Sequence, residues 1–80
     1  MAKLPTPEEI ARAILQIFMK HKSRPGAVLR SNNFLADWPA LGFTGEDFKS
    51  GMQYAAEKEW VTVLPGGTSY RLEQAGFDEA

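Results

Sequence analysis

The chain has 80 residues, of which 44% are hydrophobic and 24% charged, and its formal net charge is −1. This length limits the chain to one domain, 1–80, with an ordered core at about 6–77, and the composition excludes wholesale disorder. Because the chain has no cysteine and only one histidine, His21, disulfides are excluded, and we expect no metal site, no cofactor and no enzymatic activity.

No apolar run approaches the ~20 residues of a membrane-spanning helix, and the N-terminus lacks the apolar core of a signal peptide. We therefore expect a cytoplasmic protein without a membrane partner. The charge is unevenly distributed, since residues 1–36 hold six basic and two acidic side chains whereas residues 37–80 hold three and eight. This asymmetry could steer a partner or pair two copies of the chain, so a homodimer stays open.

The first predicted helix starts at Thr6, which can cap it, followed by Pro7 at the first helical position and Glu9 at the capping-box position. We expect residues 1–5 before it to be loose. Turn-forming residues at 23–26 end the helix. Apolar residues recur at helical spacing along one face of this helix, at Ile10, Ile14, Ile17 and Phe18.

Residues 27–30 predict a brief strand that pairs with a later hairpin as its third member. Ser31 can then cap a short helix that reaches about Trp38, and Pro39 ends it. Three residues of this helix are expected to face the core, because positions i, i+1 and i+4 share one side: Phe34, Leu35 and Trp38.

A turn with Leu41 or Phe43 as its apolar plug leads to the third predicted helix. Thr44 and Asp47 form a second capping box at its start. Gly51 costs this helix about 1 kcal/mol relative to alanine, so we expect another helix to pass close to it. The buried face is predicted to comprise Phe48, Gly51, Met52, Ala55 and Ala56.

A C-terminal hairpin follows if Gly66 and Gly67 form a two-residue turn. The expected pairs are Val61 with Leu72, Thr62 with Arg71, Val63 with Tyr70, Leu64 with Ser69 and Pro65 with Thr68. This register gives the hairpin one apolar and one mostly polar face. A hairpin that covers a small core needs these two faces, because one side contacts the core and the other contacts water. Beyond the hairpin we expect a single turn with Phe77 packing back, and frayed last three residues.

The order of these elements, with an aromatic at Trp60 and the residues from Tyr70 onwards, resembles the winged-helix family, in particular small bacterial transcription regulators of the MarR and PadR kind. Those families close the wing with Tyr-x-Leu-Thr-x-x-Gly. Here Tyr70, Leu72 and Gly76 match, and Glu73 stands in place of the threonine. The resemblance implies an α+β winged helix with three helices, a strand after the first and a hairpin wing (α-β-α-α-β-β).

The resemblance further implies that helix 3 enters the major groove of double-stranded DNA in a transcription-related role. The residues that carry over are Lys49, Ser50, Gln53 and Tyr54 on helix 3, Ser31, Asn32 and Asn33 at the start of helix 2, and Ser69 and Arg71 on the wing. However, residues 44–59 carry two basic and four acidic side chains, and the wing tip, 64–68, has no cation. A winged-helix module that docks proteins without DNA binding therefore stays open as the alternative.

Overall fold

A computed structural model describes residues 6–80, and the expectation that residues 1–5 are loose lies outside this part of the chain. The described residues form a small α+β fold with four α-helices and a three-stranded antiparallel sheet. In chain order the elements are α1 (Pro7–Lys20), β1 (Val28–Arg30), α2 (Ser31–Leu35), a 3₁₀ helix (Trp38–Leu41), α3 (Gly45–Glu57), β2 (Val61–Val63), β3 (Ser69–Leu72) and α4 (Gln74–Glu79). No helix within residues 6–80 has the length and apolar character needed to cross a membrane.

Side-chain caps fix where the two long helices begin, as the sequence predicts. At α1 the hydroxyl of Thr6 accepts a hydrogen bond from the Glu9 N–H at 3.1 Å. At α3 the bonds are reciprocal, from the Asp47 N–H to the Thr44 hydroxyl (3.1 Å) and from the Thr44 N–H to the Asp47 carboxylate (2.9 Å). Each cap satisfies a backbone donor that the helix leaves unpaired, which stabilises it by about 1 kcal/mol.

The core is formed where α1 lies along α3, with the predicted stripe of α1 buried against it. A Cβ atom placed on Gly51 would lie 2.8 Å from Cβ of Ile10 and 3.1 Å from the backbone nitrogen of Ala11. The prediction that another helix passes close to Gly51 is therefore confirmed. The absence of a side chain at this position is what allows the two helices to approach so closely.

An aromatic cluster continues this core towards the sheet. Phe34 packs against Phe18 and Phe48, with ring centroids 5.3 and 5.6 Å apart, and Tyr70 of β3 lies 5.6 Å from Phe34. Edge-to-face and tilted rings of this kind contribute about 0.5–1.5 kcal/mol per pair beyond their burial. Phe43 packs against Trp38 as the apolar plug of its turn, whereas Leu41, the other candidate, is exposed.

The predicted hairpin register is confirmed: Val61 lies opposite Leu72, Thr62 opposite Arg71 and Val63 opposite Tyr70. Strand β1 is the predicted third member and pairs with β3, so β3 is central and the order is β1-β3-β2.

The turn of the hairpin differs from the prediction. The Gly67 N–H donates to the Leu64 carbonyl at 3.0 Å, so the turn is centred on Pro65 and Gly66 and not on the two glycines. Gly66 has φ +97°, the conformation that a type II turn requires after a central proline. Thr68 consequently does not pair with Pro65. Its carbonyl accepts the N–H of Ser31 at 2.9 Å instead.

The second helix is shorter than predicted, and two of its expected roles are wrong. α2 ends at Leu35, and Trp38 is buried in the 3₁₀ helix that follows. Leu35 is 53% exposed, because adjacent helical residues point about 100° apart and Phe34 occupies the aromatic core. Ser31 does not cap the helix. Arg30 is the N-cap residue, and Asn33 accepts its N–H at 3.0 Å.

The C-terminal residues form a fourth helix, α4, where the sequence predicted only a single turn. Gly76 is its buried residue, since a Cβ there would lie 2.9 Å from the carbonyl carbon of Trp60. Phe77, one position further around the helix, is 38% exposed and does not pack back as expected. The final residues are helical to Glu79, whose carboxylate pairs with the Arg12 guanidinium at 3.1 Å, so they are not frayed as predicted.

Candidate functional site

The predicted residues of α3 lie on its solvent-facing side, with one exception. Lys49, Ser50 and Gln53 are exposed. Tyr54 is half-buried: its hydroxyl donates to the Glu8 carboxylate at 3.2 Å, and its ring packs edge-on against Trp60. Loss of hydration, followed by the charge of Glu8, raises the pKa of Tyr54. This tyrosine therefore joins α1 to α3.

The predicted residues at the start of α2 serve the fold in two of three cases. Asn33 binds the Arg30 N–H, and the N–H of Ser31 is used by the Thr68 carbonyl. The backbone N–H of Ser31 is therefore already hydrogen-bonded and is not free to bind a DNA phosphate. Asn32 is exposed.

The predicted wing residues lie on the outer face of the sheet, away from α3. The Arg71 guanidinium donates to the Glu73 carboxylate at 2.8 Å, and the same carboxylate accepts the Thr62 hydroxyl at 2.6 Å. These two hydrogen bonds, that of Thr62 foremost, lower the pKa of Glu73. The charge of Arg71 is therefore largely balanced by its neighbour. Ser69 lies on the same face, two residues before Arg71.

A groove runs between α3 and the hairpin, with a volume of about 550 Å³; we call it the α3–hairpin groove. The apolar side chains that line it are Leu35, Phe48, Met52, Ala56, Val63 and Tyr70. Three predicted site residues, Ser31, Lys49 and Gln53, stand around it, and Lys49 is the one charged side chain among the lining residues within 6–80. The fold brings these three together, whereas Ser69 and Arg71 point elsewhere.

Two residues of this groove were placed in the core by sequence reasoning. Val63 is 42% exposed, although its register places it on the same face as the buried Val61. Val61 is buried in the core, whereas Val63 lines the α3–hairpin groove, where its side chain contacts water. Leu35 lines the same groove and is 53% exposed. Nothing in the local pattern distinguishes these positions from buried ones.

The positive charge of residues 1–36 is partly neutralised by ion pairs at the protein surface. Arg12 pairs with Glu8 and Glu79, and Lys20 pairs with Asp37 at 2.7 Å. Exposed pairs of this kind contribute little stability but reduce the positive potential available to a polyanion. Three further cations, Lys22, Arg24 and Arg30, make no ion pair with another residue of 6–80.

Comparison with protein-family models, with curated proteins and with solved structures gave no significant match to this chain.

Proposed function

We propose that this chain is a cytoplasmic winged-helix domain that binds a segment of another protein in the α3–hairpin groove. The element order supports the fold assignment: a helix, a strand, two further helical segments, α3 and then an antiparallel hairpin. The fourth helix follows the hairpin and packs beneath Trp60, so it extends this arrangement without interrupting it.

The observation that carries the protein-binding function is the character of the groove wall. Leu35 and Val63, which line the groove, are 53% and 42% exposed, and Phe48, Met52 and Tyr70 line it as buried residues. Apolar clefts with a few polar groups at the rim are typical of sites that take apolar side chains. A surface that binds phosphates instead needs several cations, and among residues 6–80 Lys49 is the only cation that lines this groove.

A selection of random displayed peptides against the domain tests this function. Selected peptides should bind the Leu35→Gln variant about tenfold more weakly than the parent, because the variant removes one leucine contact from the interface. Leu41→Gln is the matched control, because Leu41 is similarly exposed, at 45%, but lies outside the groove. Peptides that bind both variants and the parent equally would contradict the proposal.

Duplex DNA is the second candidate, and the exposure of Lys49, Ser50 and Gln53 on one side of α3 favours it. Glutamine can read adenine bidentately, and lysine can bind phosphate or guanine. A titration with labelled duplex DNA at low and moderate salt decides between the candidates. Saturable binding that weakens with salt and with Lys49→Ala supports DNA, and no binding at low salt disposes of it.

A further inference from the structure

Two apolar surfaces of residues 6–80 are open to water and lie on different parts of the molecule. One is the α3–hairpin groove, and the other is Phe77 of α4, which at 38% is the only exposed aromatic side chain of the described part. α4 lies against α1 and the Trp60 backbone, and none of its residues lines the groove. Phe77 therefore does not fill the groove of its own chain.

Each of these two surfaces carries one charge that no ion pair neutralises within residues 6–80. Lys49 lines the groove, Asp78 follows the exposed aromatic ring of α4, and neither pairs with an opposite charge of a described residue. Asp78 accepts a hydrogen bond from the Gln74 amide at 2.9 Å, which is neutral and leaves the charge of the carboxylate in place. The next residue, Glu79, is instead paired with Arg12.

The lining of the groove suits an aromatic ring. Phe48 and Tyr70 offer ring surfaces for edge-to-face contact, and the flexible side chain of Met52 adapts to the shape of a ring and packs well against it. The volume of about 550 Å³ lies within the range of pockets that hold small apolar groups. A phenylalanine side chain therefore has both the space and the partners that it needs there.

A carboxylate next to this ring would lie at the rim of the groove. Adjacent residues of a helix point about 100° apart, so with Phe77 inside the groove Asp78 would stand beside it and not in it. Lys49 is exposed and follows Phe48 directly in α3, which places its ammonium group at this rim. The apolar and the charged features of α4 thus each have a counterpart at the groove.

We infer that the groove of one copy of this chain takes α4 of a second copy, with Phe77 among its apolar side chains and Asp78 beside Lys49. This inference rests on the proposed protein-binding function and names the molecule that supplies the bound segment. Because the groove and α4 are different surfaces, the contact is head to tail, and each copy can both give and accept an α4.

Sedimentation equilibrium of the parent between about 10 μM and about 1 mM measures this association. We expect an average mass that rises with concentration, with a dissociation constant below about 1 mM. Phe77→Ser should weaken self-association about tenfold from the side of α4, and Leu35→Gln should do so from the side of the groove. Leu41→Gln is the control, because Leu41 is 45% exposed but belongs to neither surface, and it should associate as the parent does.

An exchange of charges tests the pairing of the two surfaces at exposed positions. Lys49→Glu and Asp78→Lys should each self-associate about fivefold more weakly than the parent, because like charges then meet at the rim. An equimolar mixture of the two variants should associate within about twofold of the parent. In that mixture every contact between unlike copies brings opposite charges together, either the two new ones or the two original ones.

Three results would overturn the inference. The first is a parent that stays monomeric at about 1 mM. The second is self-association that Phe77→Ser leaves unchanged, and the third is a mixture of Lys49→Glu and Asp78→Lys that associates no better than either variant alone. If Phe77→Ser fails to fold, the charge exchange decides alone, since both of its positions are exposed.

The inference and the proposed function fail differently. Selected peptides that bind the groove and are sensitive to Leu35→Gln, together with a monomeric parent, would leave protein binding intact and refute a second copy as the occupant. A monomeric parent from which no groove-binding peptide can be selected would refute both.

Discussion

The two sides of α3 meet their neighbours in opposite ways. Towards α1, Gly51 and Ala55 are fully enclosed, and the helices approach until Ile10 fills the space where a side chain would be. Towards the hairpin, Gln53 is exposed and Ala56 half-exposed, and a groove separates α3 from Val63. One helix thus presents a closed interface on one side and an open apolar wall on the other.

The difference indicates what each side contributes. A closed apolar interface stabilises the fold, because every side chain removed from water there has a packing partner. An open apolar wall contributes little to folding and retains its apolar surface for another molecule. Substitutions on the two sides should therefore separate stability from binding.

The largest expected effect is that of Gly51→Leu. Its side chain would overlap Ile10 and approach the Ala11 backbone, so α1 must move away from α3. We expect a loss of about 3 kcal/mol or more in the free energy of unfolding, measured by urea denaturation. Ser50→Leu is the matched control, since Ser50 is exposed at the neighbouring position, and it should stay within about 1 kcal/mol of the parent. Equal effects of the two changes would show that the closed interface is not tight in solution.

Gly76→Ala tests whether α4 belongs to the closed part of the molecule. The added methyl group would meet the carbonyl of Trp60, which is backbone and cannot rotate away. Against a gain of about 1 kcal/mol in helix propensity, we expect a net loss of about 1–2 kcal/mol in thermal or urea unfolding. Gln74→Ala on the exposed side of α4 should be neutral within about 0.5 kcal/mol. Stabilisation by Gly76→Ala would mean that α4 does not stay docked.

A smaller, pH-dependent effect is expected from Glu73→Gln, whose carboxylate binds Thr62 and Arg71 on the outer face of the sheet. The pKa of Glu73 is lowered in the folded chain, so its contribution to stability is present above the unfolded value of about 4.3 and is lost as the pH falls through the folded value. Glu73→Gln should therefore be less stable than the parent at neutral pH, and the gap in urea midpoint should close in acid.

The control for this pH series is Glu57→Gln, since Glu57 is exposed and makes no hydrogen bond or ion pair with another side chain of residues 6–80. Its urea midpoints should run parallel to those of the parent. A gap for Glu73→Gln that does not depend on pH would contradict the role of its carboxylate as acceptor for Thr62 and Arg71.

The closed part of the fold was largely predictable from sequence, because its signals are local. The caps at Thr6 and Thr44, the stripe of α1 and the pairing of Val61 with Leu72 all depend on residues a few positions apart or on an alternation of period two. Even the close approach at Gly51 followed from a glycine on an otherwise apolar helix face.

The open part was not predictable for the same physical reason. Leu35 and Val63 carry the apolar character and spacing of core residues, and their exposure depends on how far α3 lies from the hairpin, a distance that no local pattern encodes. Asn33 and Ser31 were likewise assigned to binding or capping from residue type alone. The partner of Ser31, the Thr68 carbonyl, follows from the position of β1 against the hairpin. Asn33 instead binds the Arg30 N–H three residues before it, a local cap that the choice of Ser31 as N-cap missed.

Leu35→Gln is expected to have the smallest effect on stability, and it gives the sharpest test of the comparison between the two sides of α3. Leucine and glutamine have similar helix propensities, and Leu35 already contacts water over half of its surface, so the free energy of unfolding should change by no more than about 0.5 kcal/mol. A loss of 2 kcal/mol or more, about that of truncating a core leucine, would mean that the hairpin closes onto α3 in solution. The groove would then be a buried interface, and the molecule would lack the open wall from which its protein-binding role is inferred.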